Sequence, residues 1–463
     1  MGDRQHARAL YEQGLKVALG LDRSTEILSH AFNQFSSAAF ADPTWWQPFY
    51  QCGNNVSDMN LHVAAVACYR RALEAGGMPD ADRAKLYCNI GWRLHSLSHS
   101  EEARAFSQQA IDLDPTLALA HVNLSCIHGM FDDSAASVRA GEAAFALEQQ
   151  DPVPEMSLAF ACLFDRQLAR GLKHFERRFE YKLKSYTQYP YPRWTGEPDA
   201  TLFLVADQGL GDTLSFARFL PAAANRVKYV HAAVQPELMR VFQHAFVHVP
   251  NLNLIPQPAP FPPSDYWTTF VSLPFALGLT DTQIRECPDI AVPVYGLPKT
   301  WKVPDRKLHV GIAWAGSPQN DINPSRSIPA IQFFDLYRVP GIQLYSLQVG
   351  DGRNDLVNAG GSPVVRDLAP YITDVAATIA LLRELDLVIT VESALGHICA
   401  AAGQECWIPY SYAGRDYRLG LTGTDRLWTP RHRVFRQGEL DARRKSWQAV
   451  FDDIVAALRE KVK

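Results

Sequence analysis

Residues 202–221 read LFLVADQGLGDTLSFARFLP. An apolar run enters a loop carrying two carboxylates, Asp207 and Asp212, and two glycines, Gly209 and Gly211, and an amphipathic stretch follows. Dinucleotide binding does not account for it. The G-x-G-x-x-G fingerprint needs a third glycine where this frame has Leu214, and Asp212 would repel a pyrophosphate. A P-loop is excluded because no Gly-Lys-Ser/Thr follows. What remains is that the glycines shape a sharp turn while Asp212 either caps the helix or points its carboxylate into the cleft above the strand, two compatible roles.

Two later stretches offer the groups that would face such a carboxylate. LHVGIAWAGSPQNDINPSRSIP (308–329) is an apolar strand followed by a long polar loop, in which Ser317, Asn320 and Arg326 can each reach a phosphate. The alternative for Arg326 is a surface ion pair. In DLVITVESALGHICAAAGQECW (386–407) the strand ends at Glu392, and a helix of small residues begins near Ser393. Its first N–H groups, at Ser393, Ala394 and Leu395, form an anion site, and His397 lies one turn in, either structural or touching a sugar hydroxyl or phosphate. Glu392 reads equally as a polar strand end. Asp374 reads as a helix N-cap, with ligand contact as the alternative, and in the loop-like SYAGRDYRLGLTGTDRLWTPRHRVFRQ (411–437) Arg415, Asp416, Arg418 and Arg436 either line the cleft or pair with one another.

The chain must supply elements to position these groups. At 463 residues it holds two or three domains, with 47% apolar and 20% charged residues. A net charge of -4 argues against a nucleic-acid partner. The start, MGDRQHARALYEQ, is unlike a signal peptide, and no apolar run approaches the roughly 20 residues of a membrane span. Eight scattered cysteines lack zinc spacing and imply a reduced, cytoplasmic protein.

The first third is periodic. Ala31, Phe35, Ala38 and Pro43 recur as Ala65, Tyr69 and Ala72, then as Ala103, Ala110 and Pro115, with Gly53 and with Tyr87 and Gly91 in the preceding helices. A fourth copy runs from Ala118 to Pro152 with a small insertion, and a degenerate unit ending in GLKHFERRFEYK (171–182) is expected to cap the stack. The period of about 34 is that of tetratricopeptide repeats, an α-solenoid over 1–184 whose concave face either scaffolds the chain or holds a polypeptide. After a Pro- and aromatic-rich linker, strands alternate with helices. Leu202–Val205, Tyr229–Val234, Leu252–Ile255 and Phe270–Leu273 are expected in one half. Leu308–Trp314, Ile342–Leu347, Val364–Arg366, Leu385–Val391 and Glu405–Pro409 are expected in the other. PQPAPFPPSD (256–265) reads as loop. Two α/β halves, 185–300 and 301–463, with a cleft between them are predicted, and the amphipathic C-terminal SWQAVFDDIVAALREKVK packs on a domain surface.

These pieces together resemble bacterial tetratricopeptide-repeat glycosyltransferases with a GT-B catalytic region. The resemblance rests on QGLGDT with ARFLP, GIAWAGSP with RSIP, YSLQVG, and the block from DLVITVES through GHICAAAG to VFRQ. The catalytic half is also similar to heptosyltransferases and, more distantly, to O-GlcNAc transferases. The resemblance implies two Rossmann-like halves and Asp212 as catalytic base. It places the donor on the helix after Glu392, with Arg326 near the donor phosphate, His397 near the donor ribose and Gln348 of YSLQVG on the donor side. Glu392-Ser393 replaces a common Asp-Thr, and Asp207 a common Glu, each keeping its chemical type.

The implied activity is metal-independent, inverting transfer from a nucleotide-sugar to an acceptor hydroxyl, with no cofactor. Asp112-Leu113-Asp114 and Asp80-Ala81-Asp82, the D-x-D triplets, fall in the repeats. The acceptor is expected on a polypeptide recruited by the repeats, such as a bacterial surface or flagellar protein. A saccharide or lipid-linked acceptor is the variant. The alternative class is a non-catalytic repeat-based binding module whose GT-B region only senses nucleotide.

Overall fold

The computed structural model describes residues 2–18, 24–181, 189–258, 260–292, 294, 296, 299–318, 326–414, 416–420 and 426–463. The chain divides into two compact units, Met1–Ala161 and Cys162–Lys463.

The first unit is built of helix pairs: α1 (Gly2–Ala18) with α2 (Thr25–Ala41), α3 (Trp46–Asp58) with α4 (His62–Ala75), α5 (Asp80–Ser96) with α6 (Ser100–Leu113), and α7 (Ala118–Met130) with α8 (Ser134–Leu147). Ala31, Phe35, Ala38, Ala65, Tyr69, Ala72, Ala103 and Ala110 are all buried. Small residues at these positions let the helices of a pair approach. Gly14 faces the Phe35 ring, Gly53 the Tyr69 ring, and Gly91 the Ser107 hydroxyl. The first pair therefore includes α1, a partner that the spacing from Ala31 onward did not reveal. The period stretches between the second and third pairs, where Gly76 caps α4 at φ 73° and Gly77 follows at φ 67°. Positive φ at two successive residues is what glycine tolerates without strain.

The second unit holds two parallel sheets. One is ordered β3-β2-β1-β4, from β1 (Thr201–Val205), β2 (Tyr229–Val234), β3 (Leu252–Pro256) and β4 (Tyr266–Thr269). The other is ordered β10-β9-β8-β5-β6-β7, from β5 (Leu308–Ala313), β6 (Ile342–Ser346), β7 (Val365–Asp367), β8 (Leu387–Thr390), β9 (Cys406–Tyr410) and β10 (His432–Arg436). Every pairing is parallel. These are the two Rossmann-like halves of a GT-B arrangement.

Two expected elements are corrected. Phe270–Leu273 is not a strand: the fourth strand is the preceding YWTT, and Phe270–Ser272 is a 3-10 turn leading to Pro274 in the first turn of a helix. β10 falls in a stretch read as loop. Residues 168–175, expected in a unit that caps the repeats, belong to the second unit, where Leu168 and Leu172 share a core with Trp194, Leu204 and Phe219. The described part of the linker packs on the first sheet: Tyr189 and Tyr191 join Phe203 and Trp267, and Arg193 bridges to Trp267. The C-terminal helix Gln448–Val462 buries Phe451, Ile454 and Leu458 against Val310, Leu344 and Ile389. Among the described residues no helix is long and apolar enough to cross a membrane.

Candidate active site

In open parallel sheets, ligands sit beyond the carboxyl ends of strands where the winding direction reverses. In the larger sheet that point lies between β5 and β8, and in the smaller between β1 and β4. The loop after β5 carries Arg326, the turn after β8 carries Glu392 and Ser393, and the loop after β1 leads to Asp212. The expected groups thus converge because of strand order.

The helix Leu210–Phe216 follows β1, with Gly209, not Asp212, at its N-cap. Asp212 makes no cap. Its Oδ1 lies 2.9 Å from Nη1 of Arg418, and its side chain is 33% exposed, the most open carboxylate of the cluster. That contact is not aligned as a hydrogen bond, and among the described residues Arg418 Nη1 has no other hydrogen-bond partner. Neither Gly209 nor Gly211 needs a positive φ. The Gly211 position is steric instead: a Cβ there would strike the His397 ring and lie 3.3 Å from Cα of Ala394. Gly211 therefore lets the helix after β1 seat against the helix Ala394–Ala402 after β8.

Arg418 and Asp416 follow β9. Asp416 accepts from Arg418 Nε at 2.8 Å and Nη2 at 3.1 Å, and from the Arg418 backbone N–H at 2.9 Å. His397 Nε2 lies 3.3 Å from Asp416 Oδ2, while Ser215 Oγ lies 3.3 Å from His397 Nδ1. Both ring nitrogens of His397 are thus engaged by protein, which makes it a strut between the two halves. Burial alone would raise the Asp416 carboxyl, but Arg418 and His397 outweigh it and hold that carboxyl far below its ordinary range. Burial would lower the Arg418 guanidinium, and Asp416 and Asp212 reverse this, so it is held firmly charged.

Arg326 Nη1 approaches Glu392 Oε1 at 3.6 Å, with both side chains mostly buried. Burial, followed by the charge of Asp416, pushes the Glu392 carboxyl up to about 7, against the lowering effect of Arg326 and Arg418. Ser393 is the N-cap of Ala394–Ala402, its φ of -160° being ordinary extended backbone, and its side chain makes no cap bond. The first N–H groups of that helix, at Ala394 and Leu395, have no intrahelical acceptor by geometry.

The remaining expected residues lie elsewhere or serve otherwise. Gln348 is buried; its Oε1 accepts from the N–H groups of Trp314 and Ala315, both at 3.0 Å, and its Nε2 donates to the Ala315 and Val349 carbonyls. It braces the loop after β5. Ser317 is exposed on that loop, and Asn320 and Arg415 lie outside the described residues. Asp374 is an N-cap, accepting from Ala377 N–H at 2.8 Å, and it also pairs with Arg240 of the other half, Nη2 to Oδ1 at 2.6 Å. Asp207 is buried below the loop, where Arg178 Nη2 reaches its Oδ2 at 3.2 Å and also bonds Thr269 and Ser272. Burial raises the Asp207 carboxyl against that guanidinium. The Asp416–Arg418 pair meets the expectation that these charges line the cleft or pair with one another; Ser215 and Arg178 were not among the residues expected to form the site. Two charges spaced i, i+2 just beyond a strand's carboxyl end are the signal for that pair. Among the described residues no group of three or more His, Cys, Asp or Glu side chains could hold a metal ion.

The tetratricopeptide repeat family model matches residues 84–117, the span of α5, α6 and the turn beyond. Protein FlbA of Caulobacter vibrioides is 23% identical over 440 residues, covering 87% of this chain and 71% of that protein. The structure of Escherichia coli ADP-heptose LPS heptosyltransferase II aligns with 57% of this chain and 100% of its own, at 14% identity and a TM-score of 0.38. MamA from Desulfovibrio magneticus RS-1 aligns with 40% of this chain and 98% of its own, at 14% identity and a TM-score of 0.33. The chain carries tetratricopeptide repeats followed by a GT-B region, the latter defined by its own strand order.

Proposed function

We propose that the α/β unit is a glycosyltransferase that moves a sugar from a nucleotide-sugar to an acceptor hydroxyl, and that the repeats recruit a polypeptide bearing that hydroxyl. The observation that carries the reading is the cluster itself. An accessible carboxylate, Asp212, stands in one half, while two guanidinium groups, Arg326 and Arg418, and a helix N-terminus stand in the other.

In the proposed reaction the acceptor O–H gives its proton to the Asp212 carboxylate as the oxygen bonds to C1 of the sugar. The bond from C1 to the phosphate oxygen breaks, with inversion at C1. The electron pair leaves with the nucleotide, whose charge is met by Arg326, Arg418 and the N–H groups at the start of Ala394–Ala402. Fixed cations and backbone dipoles serve here in the role a metal ion fills elsewhere, so the reading requires no metal.

The test is calorimetric binding of UDP-, GDP-, ADP- and CMP-sugars to the full chain in EDTA. One donor binds selectively, and Arg326→Ala weakens it at least tenfold, as loss of a charge-assisted phosphate contact of about 1.5–3 kcal/mol requires. Absence of binding across the panel overturns the proposal.

A further inference from the structure

We infer that Glu392 is a proton-linked gate on this site: an anionic group enters beside Arg326 only as Glu392 takes up a proton, so binding consumes one proton. The inference rests on reading Arg326 and the helix Ala394–Ala402 as the anion-binding side.

The geometry places a carboxylate where the ligand's own charge must go. Glu392 immediately precedes the N-cap Ser393, so its charge sits at the end of the helix that favours anions. It is also the group that Arg326 Nη1 faces, at 3.6 Å, while Arg326 Nε is buried with no hydrogen-bond partner among the described residues. A guanidinium with an unused donor and a loose partner keeps hydrogen-bonding capacity for a second acceptor. An ionised Glu392 competes for that place, whereas a protonated one removes a repulsive charge and gains an O–H to donate to the incoming oxygen.

The charges around Glu392 decide which carboxyl yields. Asp416 and Arg418 face it from the loop after β9, Arg326 from the loop after β5, Asp212 from the helix after β1, and Tyr410 from the end of β9. Asp416 is gripped by two Arg418 nitrogens and by His397, so it stays ionised. Among the described residues Glu392 has only the longer Arg326 contact, and burial already brings its carboxyl to about 7. Adding a further anion nearby moves it up again, which is the direction of proton uptake.

Inorganic sulfate is a suitable probe, being a tetrahedral dianion with no ionisation of its own near neutral pH. Its binding to the full chain is measured calorimetrically from pH 6 to pH 8, in wild type and in Glu392→Gln. The wild-type dissociation constant should rise with pH, approaching tenfold per unit above pH 7. Glu392→Gln should flatten that dependence and bind about tenfold more tightly than wild type at pH 8. A pH-independent wild type, a slope that survives in Glu392→Gln, or no sulfate binding at pH 6 each overturns the gate. Arg326→Ala supplies a second check, since it should abolish the pH-dependent part of the binding; a retained slope places the anion elsewhere and overturns the gate as well. Donor binding together with pH-independent sulfate binding removes the gate alone. Proton-linked sulfate binding with no donor binding keeps the gate and removes the transferase reading.

Discussion

Asp416 receives two nitrogens of Arg418 and one of His397, and through them fixes both the cation that faces Asp212 and the strut that reaches Ser215. Such short-range order continues beneath the helix after β8. His432 Nε2–H donates to the Gly396 carbonyl at 2.9 Å, while its Nδ1 is buried with no partner among the described residues. Burial pushes its imidazolium down to about 4, only partly offset by that hydrogen bond. The unfolded chain, with an ordinary histidine near 6.5, binds the proton first. The contribution of neutral His432 is therefore fully present above about pH 6.5 and is lost as pH falls towards 4, by roughly 2–3 kcal/mol. Urea denaturation midpoints should drop over that interval, and drop less in His432→Gln. An equal acid loss in the variant contradicts the assignment.

Individual elements explain what sequence reading reached. Tyr229–Val234 was legible as a strand because an apolar run there is bounded by polar turns, and the frame through Ala31, Ala65 and Ala103 was legible because small residues must recur where helices touch. Phe270–Leu273 was misread because an apolar run does not distinguish a buried strand from the buried helical turn after it. β10 was missed because an edge strand alternates exposed Arg433 with buried Phe435, and its arginines resembled a charged loop. The roles of Asp416 and Gly211 depend on a turn and on a neighbouring helix, neither of which periodicity encodes. The repeat glycines test the packing argument directly. Tyr69, against which Gly53 lies, is fixed by donating its hydroxyl to Asn54 Oδ1 at 2.9 Å. Alanine at a mid-helix glycine gains about 0.5–1 kcal/mol of propensity, but overpacking a fixed ring costs about 1–3 kcal/mol. Gly53→Ala should thus lower the denaturation midpoint of the helical unit, by roughly 1 kcal/mol in stability. An unchanged or raised midpoint means that the helices of the second pair have slack at Tyr69.

The whole molecule joins a unit of helix pairs, which the proposed function has recruit a polypeptide, to an α/β unit whose two switch points bring a carboxylate and two guanidiniums together. If the α/β unit only sensed nucleotide, Asp212 would be dispensable. If it transfers sugar, Asp212 is needed for the chemistry and not for holding the donor. The most direct measurement is therefore release of the nucleotide from the selected donor, followed in EDTA with acceptor present, for wild type and Asp212→Asn, alongside donor affinity. The account predicts turnover in the wild type, a loss of about 10²–10⁴-fold in Asp212→Asn as expected for removing a general base, and a donor dissociation constant changed by less than about threefold. Turnover that survives in Asp212→Asn, or a wild type that binds donor and never releases product, contradicts it.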